Sequence, residues 1–370
     1  MNDSGESLAE CGEFHDVKIY GFWFDGVLLS VVGLIGLFGN IMSLIVLSRP
    51  KMRDVFHRLL SALACFDTLY IICGGINYTF RAFDARSDIY TYLFPYFLHP
   101  FTQVAMCGTI FMTVAISIER YLGLCHPMLP PSARKTWFYL VPVVTMSLII
   151  SGPKFLEVEL TTVKGDNGSS PAYGPSELRI SEDYIRYYVM WTRLLCTAIL
   201  PVILLLFLNT RIIVDLFAST KVKRFGSMNR QRKEINLCLV LLCIVLLFFL
   251  CHTTRIILDI IEFSHLEKVI QCPKSHRRMW SPPYWAQVLY HVSHFTMMIN
   301  SSFNFVVYCL VGHTFRREFC RAFGLSGYSA IPLTSSYYAN NNNDPSRRSS
   351  ASKLEYSVSV NTSLQGRRIS

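Results

Sequence analysis

Seven apolar stretches, each near or above the roughly 20 residues that cross a bilayer as helix, constrain this chain before any other feature. They run Gly26–Leu47, Leu59–Phe80, Leu93–Tyr121, Trp137–Gly152, Tyr187–Leu216, Ile235–Phe263 and Trp285–Val311. The fourth is the weakest and is expected to continue through Pro153 toward Leu156. Composition agrees with a polytopic membrane protein: 51% of residues are hydrophobic and only 16% charged, where a soluble domain carries about a quarter. The expected fold class is an all-α membrane protein, a seven-transmembrane helix bundle over 26–311 preceded by an extracellular segment, 1–25. Residues 312–324 should follow as a short amphipathic eighth helix, and 325–370 as a disordered cytoplasmic tail rich in Ser, Asn and Tyr.

The net charge of +10 does not point to nucleic acid. Lys and Arg sit in short clusters between apolar runs, where membrane topology accounts for them. Arg49, Lys51, Arg53 and Arg58 separate the first two stretches; Lys221, Lys223, Arg224, Arg230, Arg232 and Lys233 separate the fifth and sixth; Arg316, Arg317 and Arg321 follow the seventh. Seven crossings put all three clusters on one side, so the N terminus is expected outside. The basic connection with Lys268, Lys274, Arg277 and Arg278 is the exception. No signal-peptide pattern precedes Asp16, which leaves targeting to the first helix. Asn2 and Asn167 stand in outward-facing sequons and are candidate glycosylation sites. Of twelve cysteines, only Cys11 and Cys272 fall outside, where two lone thiols invite a bridge. Cys320 in the eighth helix is placed for palmitoylation and contact with lipid. No CxxC or His/Cys cluster points to a metal.

Polar groups inside the runs carry the functional signal, because charge at hydrocarbon depth is costly. Asp67 sits in the second run; Thr109 in the third and Asn300, Ser301 and Asn304 in the seventh offer oxygens and amides. Such a set can hold a small cation such as sodium, or can be a hydrogen-bonded packing cluster. Glu119-Arg120-Tyr121 ends the third run. By itself that pair is either a basic helix end or a switch.

Asn40 after Gly39, Leu63 through Asp67, Glu119-Arg120-Tyr121, Pro201 and Tyr308 together resemble the rhodopsin-like G-protein-coupled receptors. The stretches Asn300–Cys309, Arg120-Tyr121 through Cys125-His126-Pro127, and Gly152–Glu157 resemble the FMRFamide-type neuropeptide receptors of invertebrates. The resemblance implies an extracellular peptide agonist, a heterotrimeric G protein, and arrestin and receptor kinases acting on the Ser/Thr tail, at the plasma membrane. The chain also departs from the pattern. Asn304-Phe305 replaces the usual Asn-Pro, Cys251-His252-Thr253-Thr254 replaces Cys-Trp-x-Pro, and Pro95 stands where most members have the cysteine tied to the second outer loop. That loop has no cysteine either, which sharpens the expected Cys11–Cys272 bridge.

The resemblance makes Arg120 a switch, paired with Glu119 and able to reach Glu234 at the start of the sixth helix, with Tyr121, His252 and Tyr308 as further switch residues. For the ligand, Thr102 and Gln103 occupy the place of the amine counter-ion of aminergic members, which disfavours a small amine. An Arg-Phe-amide peptide needs an acid and an aromatic slot. Asp259 is the expected acid, Phe101 or Tyr290 the slot wall, and Glu262 and His294 neighbours, although Arg193 and Arg255 are spaced to compete for Asp259. An intramembrane hydrolase would need an acidic mate for Asp67, and a transporter internal repeats and broken helices. The sequence has none of these.

Overall fold

The structure, a computed structural model, describes residues 11–13, 15–85, 87–126, 135–165, 168–222, 228–276 and 280–324. Asn2, Asn167 and the tail from 325 lie outside that set. Among the described residues six helices are long and apolar enough to cross a membrane: α1 Lys18–Leu47, α2 Val55–Ala82, α3 Asp88–Cys125, α4 Thr136–Leu156, α5 Tyr184–Leu216 and α6, whose span is Glu234–Ser264. The seventh, α7, is a bent pair, Tyr284–Ser302 and Asn304–Val311, with 43° between its halves. The short α8, His313–Ala322, follows it. The seven-helix expectation therefore holds, with the third helix reaching further at both ends than its apolar run.

α3 is the centre of the bundle, with 72% of its apolar window buried against 28% for α4. One continuous core joins Leu59 and Leu63 of α2, Ile110 and Ile116 of α3, Leu241 and Phe248 of α6, and Tyr308 of α7. Leu34, Ile149 and Leu250 face outward and exposed, as side chains solvated by lipid do.

Small residues set the approach of α1 to α7. A Cβ on Gly36 would lie 2.1 Å from the Ser302 hydroxyl oxygen, and one on Gly39 would lie 2.9 Å from the Phe305 Cβ. α7 breaks at Phe303, directly against this seam. The bend thus exists without the proline that Phe305 replaces, and the glycine face of α1 leaves room for it.

The connection from α4 to α5 differs from the expected surface loop. It is an antiparallel hairpin of β1 Val158–Gly165 and β2 Gly168–Pro175, paired from Val158↔Pro175 to Gly165↔Gly168. Val158, Thr161, Thr162 and Val163 are β-branched, and glycines flank the tip, so the segment has both strand and turn chemistry.

Candidate functional site

At one end of the bundle Arg120 is nearly enclosed. Its Nε donates to Glu119 Oε2 at 2.5 Å and its NH2 to Glu119 Oε1 at 2.7 Å, a two-point pairing within α3. A longer contact of 3.5 Å reaches Glu234 Oε2 on α6. Phe56 of α2 lies 4.6 Å below the guanidinium. Tyr121 instead faces His126, its hydroxyl 3.3 Å from the imidazole Nε2. Tyr308 is buried with no hydrogen-bond partner for its hydroxyl, and packs on Phe315 of α8. His252 is stacked on Phe248 at 4.0 Å and its Nε2 is unpartnered. Thr253 and Thr254 donate to the carbonyls of Phe249 and Cys251, the back-bonding that can bend a helix without proline.

Midway along the bundle Asp67 is fully buried. It accepts from Thr109 Oγ1 at 3.0 Å and from Asn304 Nδ2 at 2.8 Å, so α2, α3 and α7 meet on one carboxylate. Ser301 lies alongside, and its carbonyl accepts from Asn40 Nδ2 at 3.0 Å. Asn300 is buried but is not among the hydrogen-bond partners of Asp67.

The opposite end holds a cavity of about 1130 Å3. Its rim is built by the N-terminal segment, which Cys11 joins to Cys272 with Cα atoms 5.7 Å apart. The Ser281 N–H donates to the Cys11 carbonyl at 2.9 Å, and the Gln287 amide donates to the Glu13 carbonyl at 2.8 Å. Gly12 takes φ +80°, and a Cβ there would lie 2.2 Å from the Ser281 carbonyl oxygen, so a residue with a side chain would be strained at this place. Outside the cavity lining, Glu157 is a buried carboxylate that gathers Lys154 Nζ at 2.7 Å, the Tyr184 hydroxyl at 2.8 Å and His99 Nε2 at 3.3 Å, and it lies 3.9 Å from Arg179, which does line the cavity. Burial alone would raise its pKa; the His99 and Lys154 contacts outweigh that and hold the carboxyl well below the usual range.

The cavity does not use the expected ligand residues as a set. Glu262, Tyr290 and His294 line it; Phe101, Thr102, Gln103 and Asp259 do not. Thr102 donates to the Leu98 carbonyl, Gln103 to the Cys107 sulfur, and Phe101 stacks with Phe97 and Phe155. Asp259 is held by Arg193 Nε at 3.1 Å and Arg255 Nε at 3.2 Å, neither aligned as a hydrogen bond. Glu262 is paired with Arg193 and accepts from the Tyr290 hydroxyl. These arginines satisfy the acids expected to meet a ligand.

A buried acid of the lining that meets no arginine among the described residues is Asp25, whose carboxylate meets His291 Nδ1 at 2.8 Å and His294 Nδ1 at 3.2 Å. Helix α1 begins at Lys18 rather than Gly26 and is π-wound over Gly21–Leu28, which buries Asp25 in the bundle instead of in a preceding segment. A hydrophobic helix carrying one acid, and His291 and His294 three residues apart, were the available signals. Cys320 is buried, not turned to lipid. The eighth helix is instead fixed through buried Glu318, which meets Arg321 at 2.9 Å and Arg49 at 3.8 Å.

Seven spans, a walled cavity at one end and a charge-paired arginine at the other make the class a heptahelical membrane receptor. Residues 39–308 match the family model of the 7 transmembrane receptor (rhodopsin family), and the chain belongs to that family of multi-pass membrane receptors, which are not enzymes. The chain is similar to the FMRFamide receptor of Drosophila melanogaster, 32% identical over 82% of this chain and 54% of that relative. It therefore spans about half the length of that protein. It is also similar to the probable G-protein coupled receptor frpr-1 of Caenorhabditis elegans, 25% identical over 85% of each chain. The FMRFamide peptide receptor frpr-18 of the same organism is 24% identical over 78% of this chain and 66% of its own.

Proposed function

We propose that this chain is a plasma-membrane receptor, N terminus outside, for a C-terminally amidated RFamide-like neuropeptide, and that it activates a heterotrimeric G protein. The 32% identity to a receptor named for FMRFamide carries the reading. The cavity under the Cys11–Cys272 bridge is its entrance. Asp259 is neutralised by two arginines, so the guanidinium of the peptide meets Asp25, whose two imidazole neighbours leave it a net negative charge when they are neutral. Tyr290 remains the aromatic wall. A sodium ion beside Asp67, and arrestin and receptor kinases at the tail, complete the proposal.

Cells expressing the chain, challenged with pools of amidated peptides and read through Gq, Gi and Gs activation, test it. Peptides ending in Arg-Phe-amide should activate in a concentration-dependent manner; persistent silence in all three channels at verified surface expression would overturn the peptide reading. Asp25→Asn should weaken such a peptide by about tenfold or more. An analogue with citrulline for arginine should lose little between wild type and Asp25→Asn, and equal losses for both peptides would remove Asp25 from the binding role.

A further inference from the structure

Asp25, His291 and His294 do more than neutralise one another. Each offers one atom with metal-binding chemistry, and the three atoms lie within 4.8 Å of each other, the one such group among the described residues. We propose that they form a zinc site that ties α1 to α7 inside the outer cavity. The site uses the carboxylate that the peptide reading gives to the guanidinium, but it rests on the ligand geometry, and its test reads zinc without peptide, so failure of one reading is distinguishable from failure of the other.

The donor set is two imidazoles and a carboxylate. That is the His2Asp type of open zinc site, in which three protein atoms bind and a fourth position is left to water. Metal–ligand distances of about 2.0–2.2 Å require donor atoms about 3.3–3.6 Å apart in a tetrahedron. Asp25 Oδ2 lies 2.8 Å from His291 Nδ1 and 3.2 Å from His294 Nδ1, so the donors need to part by only a few tenths of an ångström to about half an ångström to admit the ion. Both rings present Nδ1, so each neutral imidazole would bind zinc as its Nε2–H tautomer, any proton on Nδ1 moving to Nε2 through solvent. The centre carries one negative charge with neutral imidazoles, which suits a divalent cation.

The rings are also held in place. Tyr78 stacks on His294 with centroids 4.0 Å apart and planes 18° from parallel. Gly21 leaves the space that the His291 ring occupies, since a Cβ there would lie 3.3 Å from its Cε1. Fixed ring orientation is the outer-shell support that metal-binding histidines need. The centre opens onto the cavity, which gives the ion an entry path and leaves the fourth position facing it.

The full chain, purified metal-free in nanodiscs, should bind zinc in competition with a chromophoric chelator, and its thermal midpoint should rise with zinc concentration. His291→Ala combined with His294→Ala should weaken that binding at least tenfold and remove the rise. Cobalt, titrated into the wild-type protein alone, should give the intense visible bands of a four-coordinate nitrogen and oxygen site, a readout that does not depend on a variant folding. His294→Gln, which keeps the ring-sized volume and an amide, serves as the milder variant. Equal zinc affinity and equal thermal shift in wild type and the variants, or no cobalt bands in the wild type, would overturn the proposal.

Discussion

Asp67 illustrates how one residue can report the state of a bundle. Its carboxylate is bound at once by Thr109 and Asn304, so it registers the relative positions of α2, α3 and α7. An ion held there prefers whichever arrangement keeps those oxygens together, and a ligand with such a preference shifts the population toward it. In the arrangement seen here Arg120 also reaches Glu234, so a bound sodium ion favours the linked state. Raising sodium at constant ionic strength, with choline as the balancing cation, should lower agonist affinity in wild type. Asp67→Asn should abolish the difference; radioligand competition that finds the same sodium dependence in both proteins would remove the ion from this site.

At the scale of elements, the joints between helices are chemically unlike one another. α1 and α7 meet through missing side chains. Gly36→Ala drives a methyl into Ser302, with Cβ 2.4 Å from its Cβ and 2.8 Å from its Cα, so the helices must separate; overpacking of this kind costs about 1–3 kcal/mol. A lowered thermal midpoint in nanodiscs is expected, and Gly75→Ala, which meets only the tip of Met298 at 3.8 Å, should leave it unchanged. The hairpin, in contrast, is joined by charge and rings: Glu157 binds His99 and Lys154, and Tyr173 packs on Phe94 at 4.3 Å. No cysteine ties this hairpin to Pro95, so these contacts hold it. The Glu157 carboxyl has a folded-state pKa below its ordinary 4.5. Its contribution is therefore complete above about pH 4.5 and is lost only as pH falls through the lower folded value. Hydrogen exchange across Val158–Pro175 should stay slow down to pH 4.5 in wild type. Glu157→Gln, which leaves Lys154 without its partner, should speed exchange at neutral pH by an amount equivalent to about 3 kcal/mol; unchanged exchange would mean that the rings alone hold the hairpin.

What the sequence made legible follows the range of each interaction. Seven spans and the Glu119–Arg120 pair are local, fixed by hydropathy and by adjacency, and the structure keeps them. The hairpin was equally local but hidden by its polar tip: Gly165-Asp166-Asn167-Gly168 reads as loop, while Val158 to Val163 carries the strand pattern. Asp25 was not legible, because a hydropathy boundary at Gly26 leaves it outside the bundle and its partners lie 266 and 269 residues away. Asp259 failed as a ligand acid for the same reason in reverse: Arg255 is one helical turn away and could be seen, but the approach of Arg193 from α5 is a tertiary fact.

For the whole molecule, the question is what keeps the outer cavity and the Arg120 end in register. Arg120 is bound chiefly within its own helix, with two contacts to Glu119 no longer than 2.7 Å, and reaches Glu234 of α6 at 3.5 Å. The first pairing cannot sense helix motion, because both residues ride on α3. The second can, since it spans two helices and is weak enough to break. A part-exposed contact of this length is worth about 1 kcal/mol, which corresponds to a shift of about fivefold in a two-state equilibrium. Glu234→Ala should therefore raise basal G-protein activation by up to about fivefold at matched surface expression. Glu119→Gln should act differently: it strips a buried guanidinium of its main partner, so reduced expression is expected before any gain in signalling. Basal activity that stays at the wild-type level in Glu234→Ala would place the restraint elsewhere on α6, where Thr296 of α7 donates to the Cys251 carbonyl at 3.0 Å and lies 2.9 Å from the Thr254 hydroxyl, and where Phe248 and Tyr308 share one core.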